Sequence, residues 1–428
     1  MKWFKFAAHL LLWLLVGVIL LALFTAILWF LNGEHGGYPA LFISVVFFLG
    51  LVRSLYQKAY SVRGIFLRLL PTGLALLIII WAMIPMAPQQ LEDYPLETGF
   101  ELWELDNSRS IVIHHATPPA SGNITPKDTA IVFIHGGPGA YTRTFTRNYM
   151  NKFTLLGYDV YTYDQVGAGL SPIVPVEEYS HFNNVTDLAS VIERIDKPII
   201  LIGQSYGAGM AVSYLDRFKG NHPVTHLVLT EPSPVPGKEL PDDPRYHEIT
   251  TKAEHIEDPS PLEVVDSPRF LFAMLLPAEN RFVPQQELMN YIGPEVQKKI
   301  TATAFCKKDK GNIPDFRKLR INLKAHNRIK RLFGDEKQPE LQDLEIPVLL
   351  LLGECSNLPR GFAMDYFEIL PIQRSHLIRG GGHVLWANKQ SKKLTRKAII
   401  SFLKQSEELP LPNEPTADTR MEFVKAGK

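Results

Sequence analysis

Ile199-Ile200-Leu201-Ile202-Gly203-Gln204-Ser205-Tyr206-Gly207-Ala208-Gly209 decides how the chain is to be read. Four aliphatic residues suit a buried strand, Met210 to Phe218 suits a helix, and Gly-x-Ser-x-Gly stands between them. A strand that turns into a helix over so few residues leaves no room for side chains two places before and after the serine, hence glycine at 203 and 207. The same turn lifts Ser205 Oγ off the sheet edge and aims the first helix amides at the space beside it. The pattern predicts a nucleophile elbow.

Upstream of it, Glu101 to Ala116 holds two alternating stretches that predict an antiparallel hairpin. A loop rich in Pro, Gly, Ser and Asn, Thr117 to Asp128, leads into the buried-strand run Ala130 to Ile134, and His135-Gly136-Gly137-Pro138-Gly139 follows at once. Glycines just past a central strand let the backbone approach a ligand and expose its amides. Tyr158 to Asp164 predicts the next strand, ending in Asp164-Gln-Val-Gly167-Ala-Gly169-Leu-Ser171, a turn suited to bracing a site floor. Leu188 to Ile195 then gives a helix with an apolar face.

Downstream, Thr225 to Thr230 is another buried strand, ended by Glu231-Pro232-Ser233-Pro234. From about Pro236 to Leu344 the segments are amphipathic and broken by prolines, with no buried-strand run, which predicts a helical cap inserted over the sheet. Its first part, to Asp266, is acidic and its second, Lys307 to Lys337, basic; solvated faces account for both. The strands resume with Ile346 to Leu352, and a last one, Ser375 to Arg379, enters Gly380-Gly-Gly-His383. Alternating strands and helices of this kind predict an α/β fold with a doubly wound, mostly parallel sheet.

The apolar excess lies at the other end. Of 428 residues 46% are hydrophobic, and three hydrophobic runs fall in the first 88. Phe6 to Leu31 exceeds the roughly 20 residues that cross a bilayer and lacks a cleavage site, so it reads as an uncleaved anchor. Pro39 to Val52 is short enough for a re-entrant alternative, and Leu69 to Pro88 is long enough to span. Lys2 and Lys5 precede the first run; Arg53, Lys58, Arg63 and Arg68 lie between the second and third; Glu34, Glu92, Asp93 and Glu97 occupy the other flanks. The positive-inside rule then sets the N-terminus and the 53–68 loop in the cytoplasm and, with three crossings, the rest outside it. The expected division is 1–90 for a transmembrane region with spans near 6–31, 38–56 and 66–88, 91–235 and 345–408 for the two parts of the core, 236–344 for the cap, and 409–428 for a polar tail. The lipid bilayer is thus an expected partner, and a net charge of +1 gives nucleic acid no footing. Cys306 and Cys355 are the two cysteines; an extracytoplasmic site permits a disulfide, but two separate buried thiols are the expectation.

His-Gly-Gly-Pro-Gly at 135–139, Asp164-Gln-x-Gly-x-Gly-x-Ser171, Gly203-Gln-Ser-Tyr-Gly207 and Gly-Gly-His383 resemble, in order and spacing, the proline iminopeptidase-like group of α/β-hydrolases over roughly residues 100–400. The resemblance implies a serine hydrolase with a helical cap and neither metal nor cofactor, foremost an aminopeptidase that removes an N-terminal residue, often proline, from a peptide, with a membrane-associated esterase or lipase acting on a small ester or amide as the alternative. It makes Ser205 the nucleophile, His383 the general base, and the amides of Gly137 and Tyr206 the oxyanion hole. Two departures stand out. Val166 replaces the usual arginine, and the usual Gly-x-x-Asp after the penultimate strand reads Gly353-Glu354-Cys355-Ser356, without the triad acid. An imidazole that must become imidazolium gains from a carboxylate on its far nitrogen. Glu231, at the end of the strand after the elbow, is the first replacement, with Glu354 and Asp365 behind it. An aminopeptidase would hold the substrate ammonium with cap acids such as Glu239, Asp242, Asp243 and Glu248, whereas an esterase or lipase would use an acyl channel such as the Phe270–Leu276 run. The missing aspartate also motivates a rival of another class, a catalytically silent binding module.

Overall fold

Ala130-Ile-Val-Phe-Ile is apolar at every position because both of its faces are covered: Val132 and Ile134 join one hydrophobic cluster, Ile131 and Phe133 the other. The same alternation runs through the neighbouring strands, which is why they read as continuous apolar runs. The computed structural model of the chain describes residues 96–105, 108–120, 124–247, 283–312 and 319–408, with 270 and 278. The chain divides into two compact units, residues 1–89 with 261–288 and residues 90–260 with 289–428. The sheet and the site belong to the second. In the first, Phe270, Ala278, Val283 and Leu288 are buried.

The strands are β1 (Phe100–Glu104), β2 (Ser110–Ala116), β3 (Ala130–Ile134), β4 (Asp159–Asp164), β5 (Ile199–Gln204), β6 (Val224–Thr230), β7 (Val348–Gly353) and β8 (Arg374–Ile378). They form one sheet in the order β1-β2-β4-β3-β5-β6-β7-β8, antiparallel where β2 pairs with β1 and β4 and parallel elsewhere. Helices α1 (Thr144–Met150) and α7 (Lys389–Glu408) cover one face; α2 (His181–Ile195), α3 (Tyr206–Arg217) and α6 (Arg360–Ile369) cover the other. Between β6 and β7 the described residues are helical or irregular, with α4 (Pro294–Ala302) and α5 (Leu323–Leu332) among them, apart from isolated bridge residues at Cys306 and at Arg320, the latter paired with Gly169. The α/β fold with its mostly parallel sheet is as the sequence predicts.

The topology places the site. From β3 the chain moves to β4 on one side and then to β5 on the other, so the winding reverses at β3. Ligands of such sheets sit in the crevice beyond the carboxyl ends of the strands flanking that reversal. There the loops after β3 and β5 begin, at His135 and Ser205.

Two expectations need comment. Cys306 and Cys355 are not separate thiols: they form a disulfide, Cα atoms 5.4 Å apart, joining the inserted segment to the loop after β7. Nothing in their spacing announces this, since 49 residues and a change of element separate them. Among the described residues no helix is long and apolar enough to cross a membrane; the predicted spans at 6–31, 38–56 and 66–88, residues 271–276 of the acyl-channel run, and the 409–428 tail lie outside the described residues.

Candidate active site

Ser205 has φ 53° and ψ −120°, between the last residue of β5 and the first of α3. Such a backbone costs a residue with a Cβ about 1–3 kcal/mol and persists only where its surroundings over-determine it. Here the Ser205 N–H donates to Thr230 O, while its own carbonyl accepts from the amides of Ala208 and Ser233. A Cβ on Gly203 would fall 2.6 Å from Gly207 O, and one on Gly207 would fall 2.3 Å from Ile134 O. Because α3 starts at Tyr206, that residue's amide is among the first-turn N–H groups with no helical acceptor.

The His-Gly-Gly-Pro-Gly loop presses on this elbow: a Cβ on Gly136 would lie 2.8 Å from Ser205 Cβ and 3.3 Å from its Oγ. His135 anchors the loop's start. Gln165 N–H donates to its Nε2 at 3.1 Å and its Nδ1 lies 2.6 Å from Gly136 O, which puts the ring proton on Nδ1. Burial lowers its pKa to about 4, so the ring is neutral and structural. The far end is held from α5, where Asn322 N–H donates to Gly139 O and His326 Nδ1 reaches Pro138 O at 3.1 Å.

His383 arrives from the turn after β8. Gln204, the residue before the serine, donates from Nε2 to His383 O at 3.2 Å, and Val384 N–H donates to Ala304 O. On the other side of the ring, Nδ1 lies 3.5 Å from Glu231 Oε2, in ion-pair range and longer than a strong hydrogen bond. Glu231 is 1% exposed and has φ 47°, a second left-handed non-glycine at the sheet's edge. Its carboxylate also accepts from Gly353 N–H and Ser356 Oγ. Of the three acids left open by the sequence, Glu231 is the one brought to His383. Glu354 accepts from Gly380 N–H at 2.7 Å, and Asp365 takes Lys238 Nζ and Tyr246 OH.

Ser205, His383, Gly136 and Gly137 line one cavity of about 230 Å³. Arg143, Thr301 and Asn357 are also on its wall, and none of them stood out in the sequence. Glu239, Asp242 and Asp243 are not on that wall, and Glu248 lies outside the described residues. Ser356 did carry a signal: it occupies the aspartate place of Gly-x-x-Asp and now donates to the acid that replaced it. Among the described residues no group of three or more His, Cys, Asp or Glu is arranged to hold a metal ion. The arrangement has the parts that nucleophilic acyl transfer requires: a half-buried hydroxyl on a cavity wall, an imidazole with a buried carboxylate behind it, and main-chain amides beside the hydroxyl.

Residues 131–393 match the model of the alpha/beta hydrolase family. The chain belongs to that family. It is similar to the proline iminopeptidase of Lactobacillus delbrueckii subsp. lactis, 25% identical over 272 residues that cover 61% of this chain and 86% of that one. It is also similar to the proline iminopeptidase of Arabidopsis thaliana, 35% identical over 152 residues, which is 34% of this chain and 38% of the relative's length. Among solved structures, the bromoperoxidase from Bacillus anthracis superposes with a TM-score of 0.45 at 21% identity, over 71% of this chain and 99% of that one.

Proposed function

We propose that the protein is a membrane-anchored serine hydrolase that cleaves small esters or amides through an acyl-enzyme. The observation that carries this is the grouping of Ser205 and His383 on one cavity wall with Glu231 behind the imidazole. In the proposed reaction His383 Nε2 takes the Ser205 proton, the oxygen attacks the carbonyl, and the amides of Gly137 and Tyr206 receive the negative charge of the tetrahedral oxygen. The proton then passes to the leaving group. Water, with His383 again as base, hydrolyses the acyl-serine. Glu231 steadies the imidazolium, and so the missing Gly-x-x-Asp no longer argues for a silent binding module.

A proline iminopeptidase type of aminopeptidase is the second reading, favoured by the two relatives of that name. It requires an acidic group for the substrate's free ammonium. The three N-terminal runs would anchor the chain, with the hydrolase unit on the extracytoplasmic side; the Cys306–Cys355 disulfide, a bond characteristic of oxidising compartments, supports that side.

The test is labelling of the full chain with a fluorophosphonate probe. Wild type should label and Ser205→Ala should not; labelling of the variant would remove Ser205 from its role. Faster cleavage of proline p-nitroanilide than of short p-nitrophenyl esters would select the peptidase reading, and the reverse order the esterase.

A further inference from the structure

Tyr206 opens α3 beside Ser205, and its side chain is buried on the face of the sheet that α2 and α3 cover. There its hydroxyl meets two polar side chains from the first turn of α2. Asn184 donates from Nδ2 to Tyr206 Oη at 3.0 Å, and His181 Nδ1 lies 3.1 Å from the same oxygen. On the other side of its ring, His181 Nε2 lies 2.8 Å from Oγ of Ser213, two turns further along α3. The directions of these bonds follow from one another. Because Oη accepts from Asn184, its own proton points at His181 Nδ1, so Nδ1 is the bare nitrogen and the ring proton sits on Nε2, facing Ser213. A ring used in this way is neutral, and burial, which lowers the pKa of His181 to about 3, keeps it so. Phe333 packs against both aromatic partners, its ring centroid 5.0 Å from that of His181 and 5.8 Å from that of Tyr206.

We infer that His181 is a positioning residue for the oxyanion hole: through the Tyr206 hydroxyl it holds in place the residue whose amide, with that of Gly137, receives the tetrahedral oxygen. This rests on the serine hydrolase reading above and deepens it by naming a residue that acts at one remove from the reacting atoms. His181 is not on the cavity wall, so it has no direct part in the chemistry. Its effect comes from where the strain lies. Ser205, with φ 53°, keeps a backbone that survives only where its neighbours over-determine it. Main-chain bonds hold the serine itself, its N–H donating to Thr230 O and its carbonyl accepting from Ala208 and Ser233. The next residue is Tyr206, and its side chain, tied at the tip to α2, is a further fixed point that resists rotation of the first turn of α3. An oxyanion hole works by having its donors aimed before the charge forms, so a small turn of that amide weakens it. A buried chain of hydrogen bonds in which each group meets a partner is rigid, whereas removal of one member leaves the rest unpaired and loosens the whole. Loss of the Tyr206 hydroxyl would strand both His181 Nδ1 and Asn184 Nδ2.

The test compares p-nitrophenyl butyrate with its thionoester, in which sulfur replaces the carbonyl oxygen. Sulfur is larger and accepts hydrogen bonds weakly, so a hole aimed at oxygen favours the ester, and the ester-to-thionoester ratio of kcat/KM reads the alignment of the hole apart from the rest of the site. Steady-state kcat and KM are measured on the full chain in detergent for wild type, Tyr206→Phe, His181→Leu and His181→Asn, with thermal unfolding alongside. Tyr206→Phe keeps the ring and removes only the hydroxyl. It should lower kcat on the ester about 10-fold, a part of the roughly 10²- to 10³-fold that outright loss of a hole donor costs, with KM nearly unchanged and the ester-to-thionoester ratio falling in step. His181→Leu should act in the same direction. His181→Asn, whose Oδ1 can take the place of Nδ1 as acceptor, should restore part of the loss. Equal loss on ester and thionoester, or a lower unfolding temperature with kcat unchanged, would mean that the chain only packs α2 on α3, and the inference would be overturned. Tyr206→Phe decides the matter even where the histidine variants fail to fold. Fluorophosphonate labelling of wild type keeps the two levels apart: absent labelling removes the hydrolase reading and the inference with it, whereas a labelled, active wild type matched by Tyr206→Phe removes the inference alone.

Discussion

Replacing Glu231 by Gln isolates the charge behind His383 while keeping its shape. The wild-type carboxylate is buried, accepts from Gly353 N–H and Ser356 Oγ, and stands 3.5 Å from His383 Nδ1. In the ground state the carboxylate orients the ring. In the transition state the ring is cationic, and at an effective dielectric of about 20 the pair is worth about 5 kcal/mol. At 1.36 kcal/mol per decade, loss of the charge should reduce kcat by about three orders of magnitude. The amide can still accept from Gly353 N–H, and Ser356 Oγ can reverse to accept from the new NH₂, so the fold should lose little. KM should change far less than kcat, because the charge acts on the transition state and not on the bound ester. The assay is hydrolysis of a short p-nitrophenyl ester by the full chain in detergent, with circular dichroism and thermal unfolding as the structural control. A folded Glu231→Gln variant retaining more than about a tenth of wild-type kcat would refute the assignment of Glu231, and the carboxylate would then be a brace for the β7 loop.

Three further outcomes are expected. Gly136→Ala places a methyl 2.8 Å from Ser205 Cβ, so turnover should fall at least about 10-fold while thermal unfolding shifts by no more than overpacking of about 1–3 kcal/mol allows; unchanged turnover would show that the loop does not bear on the serine. Cys306→Ser with Cys355→Ser removes a cross-link closing 49 residues, which in the chain-entropy model lowers stability by about 4 kcal/mol, read from urea denaturation under non-reducing conditions; an unchanged midpoint would contradict it. His135 and His181 are buried, with pKa values lowered to about 4 and about 3, so the unfolded chain binds more protons than the native one below pH 6.5. Their contribution is full above pH 6.5 and is lost as pH falls towards 4 for His135 and towards 3 for His181, on the order of 3 and 5 kcal/mol respectively, so the unfolding temperature should fall between pH 7 and pH 5; a flat profile would refute the neutral assignment.

The central strands were legible because burial on both faces writes itself as an unbroken aliphatic run: β3 occupies Ala130–Ile134 as the run predicts, β6 starts one residue earlier than its run, and β5 continues two residues past its run, through Gly203 and Gln204. The elbow was legible for a steric reason, since only glycine at 203 and 207 clears Gly207 O and Ile134 O. Helix α2 was read seven residues short: its first half buries His181, Asn184 and Asp187, polar residues that carry no apolar period. Arg143 was illegible because nothing in Thr-Arg-Thr distinguishes an arginine turned into a cavity from one on a solvated face. The Cys306–Cys355 bond was illegible because it depends on how the inserted segment returns to the β7 loop.

Under the proposed mechanism, Glu231 takes the place of the aspartate that the Gly-x-x-Asp pattern would supply. β6 and β7 are adjacent and parallel, with Thr230 opposite Leu351, so the residues following each strand emerge on the same rim of the sheet. Glu231 N–H donates to Leu351 O, which carries the ladder one step past β6 and fixes the glutamate at that rim. From there the longer side chain accepts from the amide of Gly353, the last residue of β7, and comes within 3.5 Å of the imidazole. Ser356, in the position an aspartate would hold, cannot supply charge, but its hydroxyl donates to the carboxylate and leaves no buried oxygen unsatisfied. An aspartate at 356 together with Glu231 would set two buried carboxylates against each other, and one would take a proton. In the proposed triad the serine at 356 and the glutamate at 231 thus work together: a single carboxylate behind His383, delivered from one strand over.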